Sequence, residues 1–161
     1  MHRVGQFVAH VRARVDPEEV ALARRILPST AIRLFESMPV ADRRHGLDVA
    51  EKLLRAGHDD TDLLAAALLH DAAKGRRLRL WHRVTGVLLE ALAPSVLRRL
   101  AHPAPTSWRH AFHLYLHHEA LSADLARRAG CPPRVGAFIT GTAAATDAPL
   151  LRALMKADDA S

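Results

Sequence analysis

The stretch LLAAALLHDAAKG, Leu63 to Gly75, runs from core-type apolar residues into His70 and Asp71 side by side, with Lys74 one turn further on. An imidazole and a carboxylate are metal donors, but adjacent residues on a helix point about 100° apart. Both reach one ion only if it sits at the helix end, and two donors do not complete a site. The chain offers His45 in RRHGLDVAEKLL and Asp158 in LMKADDAS, with Asp159 as the adjacent alternative. Helices that converge on these positions would gather two imidazoles and two carboxylates. Mixed nitrogen and oxygen donors suit one divalent transition metal, whether Mn, Fe, Co, Ni or Zn. Such an ion polarises a phosphoryl oxygen and lowers the pKa of bound water towards 7. Lys74 and Arg44 are placed to meet an anionic phosphate.

The elements that must position these groups are helices. Asp16-Pro17-Glu18-Glu19 reads as an N-cap, a first-turn proline and favourable acids, and Pro28 closes that helix. Ser29 or Thr30 opens a second helix through Met38. A third starts at Asp42, carries Leu47, Ala50, Leu53 and Leu54 on one face, and ends near Gly57. The next runs from about Asp60 to Lys74. Further helices are expected over Leu80–Leu92, from Pro94, over Trp108–Ala129, after Pro132-Pro133, and from Asp147 towards Asp159, with HPAPTS as a loop. Period-2 alternation is nearly absent. The expected fold is all-α, an irregular helical bundle in one domain over residues 1–161.

Composition narrows the function classes. With 161 residues, about half of them apolar, the chain is long enough for a real core. Abundant Ala, Leu and Arg agree with helices. No apolar run approaches the roughly 18–20 residues of a membrane span, and charges interrupt MHRVGQFVAHVRARV, a poor signal peptide. A single cysteine, Cys131, fits a reducing cytoplasm. A net charge of +6 raises the question of nucleic acid. The basic residues are spread along the chain without interleaved aromatics, which argues against a polynucleotide partner and leaves either a solvated arginine-rich surface or a field that attracts a small phosphorylated substrate.

His45, His70-Asp71 and Asp158, in that order, resemble the H…HD…D signature of the HD superfamily of metal-dependent phosphohydrolases. LLHDAAK is similar to the family's central motif, RHGLDVAEKLL to the helix of its first histidine, and LLRALMKADDAS to the segment of its last aspartate. The resemblance covers residues 43–161 as an HD core and leaves 1–42 as an N-terminal helical addition. It implies an HD-like helical fold with His45, His70, Asp71 and Asp158 as metal ligands. It also implies hydrolysis of phosphate esters or anhydrides in a nucleotide or similar small metabolite, with Asp71 orienting the attacking water. The alternative is an inactive HD module that binds a nucleotide or a partner protein.

HHEALSADLARRAGCPPRVGAFITGT resembles the part of dinuclear HD proteins that reads histidine, three residues, glycine, then a later histidine. His118 falls on the first histidine, Ser122 on the glycine and Thr142 on the second histidine. That loss predicts one metal, with His118 either supporting the metal ligands from behind or acting as an acid/base group, and the cyclic-di-GMP branch's GYP signature is absent. Among the remaining residues, His110, His113 and His117 share a helical face, a spacing open to a separate metal site; without the HExxH pattern they read rather as a polar surface. His82 and Arg83 are weaker candidates for the cleft, Cys131 has no catalytic partner pattern, and the apolar N-terminal helices offer a surface for a second subunit.

Overall fold

The computed structural model describes residues 17–75, 85 and 88–161, and among them the chain is all helix and turn, with no strand. The helices are α1 (Pro17–Ile26), α2 (Ser29–Ser37), α3 (Val40–Arg55), α4 (Thr61–Leu69), α5 (Pro94–Leu100), α6 (His110–Arg128), α7 (Pro133–Ile139) and α8 (Ala148–Asp159), the last preceded by a 3-10 turn, Ala145–Asp147. The helix expected over Leu80–Leu92 is described only in part, with residues 88–92 helical. The proposed cap at Asp16, the apolar N-terminal stretch, His82 and Arg83 lie outside the described residues. No described helix is long and apolar enough to cross a membrane.

The bundle is organised around α4. Every residue from Leu63 to Leu69 is buried, as a helix apolar on all faces requires. Asp60 caps it by accepting the Leu63 amide at 3.0 Å. Around it pack α1, α3, α7 and α8, while α6 covers α7 and touches α2, α4 and α5. Phe35, Leu47, Leu53, Leu68, Val135 and Phe138 fill the space between. Ala23, Leu27, Ala31, Phe35 and Met38 of the first two helices and their connections belong to this same core.

Three devices set the helix positions. Gly46 of α3 lies against the backbone of α4: a Cβ there would stand 3.0 Å from the Leu68 carbonyl oxygen and 3.1 Å from that of Ala67. A side chain there would push against the α4 backbone and require it to give by a few tenths of an ångström. Arg134, at the start of α7, reaches the Asp60 carboxylate at 2.8 Å, Asp62 at 3.3 Å and both Asp147 oxygens at 2.9 Å, and lies over the Phe138 ring. Lys52 of α3 holds the chain just after α8 through the Ala160 carbonyl and the Ser161 hydroxyl.

α4 is shorter than its sequence suggests. Instead of continuing to Lys74 it ends at Leu69, and residues 70–75 form successive turns with the Ala72 and Lys74 amides bonded three residues back. The Ala73 amide donates to the buried Ser122 hydroxyl of α6 at 3.0 Å. Gly75 then takes φ +55°, a left-handed conformation that favours glycine. An external acceptor and a left-handed exit thus replace further helix.

Candidate metal centre

His45, His70 and Asp158, far apart in sequence, meet where α3, the end of α4 and α8 converge. Among the described residues they are the one group of three such side chains whose donor atoms all lie within 4.8 Å of one another. His45 Nε2 donates to Asp158 Oδ1 at 2.8 Å. The two imidazoles meet edge to face, centroids 5.2 Å apart.

His70 is fixed by its other nitrogen. Nδ1 lies 2.9 Å from the Ala67 carbonyl, and a carbonyl only accepts, so Nδ1 carries the hydrogen. Nε2 points into the cluster, 3.5 Å from Asp71 Oδ1 and 3.4 Å from Asp158 Oδ1. It is buried and makes no hydrogen bond, and Asp71 Oδ1 is buried beside it. Lys74 stands 2.6 Å from Asp71 as an ion pair.

The electrostatics follow from this crowding. Burial pulls the His70 pKa down, but the Asp71 and Asp158 carboxylates outweigh it and hold the imidazole above its usual value. Burial pushes Asp71 up, and His70 with Lys74 overcomes that and keeps it below the carboxylate range. Asp158 is opposed by burial in the same way, yet the hydrogen bond from His45 and the adjacent His70 imidazole hold it far below.

A cavity of about 300 Å³ opens beside the cluster. His70, Asp71, Lys74, His118 and Asp158 form its polar side, and Phe138, Leu151, Leu154 and Met155 an apolar wall. His118 Nδ1 donates to the Tyr115 carbonyl at 2.9 Å, which leaves Nε2 with the lone pair in the neutral ring. Burial, then the Lys74 charge, depresses its pKa. Asp158 makes the contacts to both histidines; Asp159 also lines the cavity.

Not every expected residue comes to this place. Arg44 turns along its own helix to Asp48 and Glu51 and is not among the cavity's described lining residues. Thr142 is exposed and shares a hydrogen bond with Thr140 at 2.8 Å, so it brings no donor to the cluster. Two contributors have structural roles that the sequence does not give: Gly46, which lets His45 approach the end of α4, and Ser122, which shapes the turn after Asp71. The first is visible only as a glycine one residue from a candidate ligand. Compared against family models, curated proteins and solved structures, the chain matches none.

Proposed function

We propose that this chain is a cytoplasmic, HD-type metal-dependent phosphohydrolase acting on a nucleotide or similar small phosphorylated metabolite. The observation that carries the reading is His70 Nε2, buried without a hydrogen bond between two carboxylates and facing a second imidazole. Buried polar atoms are ordinarily satisfied, and metal-ligating histidines commonly fix the opposite nitrogen on a backbone carbonyl, as His70 does on Ala67. The residues fit a divalent ion, which His45, His70, Asp71 and Asp158 would hold. When bound, it supplies Lewis acidity for a phosphoryl oxygen and acidifies a water.

The remaining steps belong to the chain's own residues. Asp71, kept ionised, accepts a hydrogen bond from the attacking water and aligns it. Lys74 shares its charge between Asp71 and the phosphate, a task that Arg44, engaged with Asp48 and Glu51, leaves to it. Neutral His118 accepts a proton at Nε2. The apolar wall receives the organic part of the substrate and keeps water from it. A second reading, a binding module without turnover, is favoured by Thr142, which stands outside the cluster.

Elemental analysis of untagged protein beside His70→Ala, with a phosphoester and nucleotide panel for wild type and Asp71→Ala, separates these readings. The enzyme loses one equivalent of metal in the first variant and turnover in the second. Metal retained by wild type without turnover on any substrate selects the binding module. Equal metal content in wild type and His70→Ala, after reconstitution with Mn, Fe, Co, Ni and Zn, sinks the metal reading.

A further inference from the structure

A different face of α6 carries its own imidazoles. His113 and His117, one turn apart, have ring centroids 4.5 Å from each other, and His110 stacks on His113 at 5.7 Å. His110 Nδ1 lies 3.3 Å from the carbonyl of His102, so it carries the hydrogen and leaves Nε2 as the donor atom. This is the arrangement by which a backbone carbonyl orients a metal-binding histidine. Burial, then the neighbouring imidazoles of His117, His110 and His102, lowers the His113 pKa and favours its neutral form. Metal ligation requires neutral imidazoles.

We propose that His113 and His117, with His110 as third donor, form a surface site for one imidazole-preferring divalent ion of the Zn, Ni or Cu class, separate from His45, His70 and Asp158. Two histidines four residues apart on a helix face one side and can grip a single ion. The donor nitrogens of the three rings do not all lie within 4.8 Å of one another, so ligation requires the ring of His117, which is exposed, to turn from packing against His113. All three donors are nitrogen. The site therefore discriminates against Mn²⁺ and Mg²⁺, which prefer oxygen, whereas the mixed donors near His70 do not.

Calorimetric titration of the untagged, metal-stripped full chain with Zn²⁺ tests this in a His70→Ala background, repeated in His45→Ala in case the first does not fold. Each background should take up one equivalent of Zn²⁺ and no Mn²⁺. Adding His117→Ala, at an exposed position, should weaken the Zn²⁺ uptake roughly tenfold or more. No Zn²⁺ uptake in either background, or uptake unmoved by His117→Ala and by His113→Ala, overturns the proposal. In otherwise wild-type protein, a single equivalent abolished by His117→Ala but untouched by His70→Ala would support this site while refuting the central one.

Discussion

At the scale of single residues, the protons of the central cluster set how the proposed metal uptake would depend on pH. His70 is held above its usual pKa by Asp71 and Asp158, so below neutrality it is protonated, and an ion must displace that proton. Zn²⁺ titrations of metal-free protein near pH 6.5, the ordinary histidine value, in buffers of different ionisation enthalpy should show proton release that His70→Ala reduces. A buffer-independent heat would contradict the assignment. Stability of the metal-free protein has the matching signs. The contribution of His70 is complete below about pH 6.5 and is lost as pH rises through its raised value. Those of Asp71 and Asp158 are present above about pH 3.9 and are lost as pH falls through their lowered values. The metal-free fold should therefore gain most from the cluster between these limits, and a pH series of chemical denaturation measures it. His70 and Asp71 were legible in sequence because two unlike polar groups interrupt an apolar helix. His45 and Asp158 were legible only as members of an ordered set. The hydrogen bond of Ser122 was not, since a hydroxyl that accepts one amide hydrogen looks like any other serine until α6 is placed.

At the scale of elements, the crossing of α3 over α4 decides where His45 stands. Gly46→Ala would press a methyl group against the backbone of Ala67 and Leu68, and neither carbonyl can swing away as a side chain would. Overpacking of this kind costs roughly 1–3 kcal/mol, against which alanine's better helix propensity returns about 1 kcal/mol. The expected outcome is a lower denaturation midpoint together with weaker metal retention, because the same shift moves His45 from His70. Unchanged retention would show that the crossing does not set the site. Helix positions were largely readable from prolines, glycines and acidic caps, as at Pro94, Pro133 and Gly130. The end of α4 was not, because an uninterrupted helical composition through Ala72 and Ala73 hides the serine across the bundle that captures the turn.

At the scale of the whole molecule, Arg134 joins the start of α4, the start of α7 and the entry to α8 through Asp60, Asp62 and Asp147. Arg134→Met should lower thermal stability by leaving these carboxylates facing one another. The loss should shrink as salt is added, since salt screens like-charge repulsion. Asp60 is lowered against the pull of burial by the Leu63 amide and Arg134, and Asp147 by its hydrogen bond with Arg134. Their stabilisation therefore disappears on acidification in the wild type, and the variant's stability should fall less steeply at low pH. A salt-independent difference between the two proteins would refute the clasp. No spacing pattern links residues 60, 62, 134 and 147, so the all-helical class was readable and this closure was not.

His45 and Asp158 are separated by 113 positions, and their 2.8 Å contact closes nearly all of that length into one loop. A ribosome delivers α3 and the end of α4 long before it delivers α8. Until α8 docks, a growing chain holds an incomplete set of donors and cannot be charged with an ion in its final geometry. Were the proposed central ion bound, its capture would therefore mark completion of the fold, and a copy stalled before α8 would lack the Asp158 donor that closes that cluster.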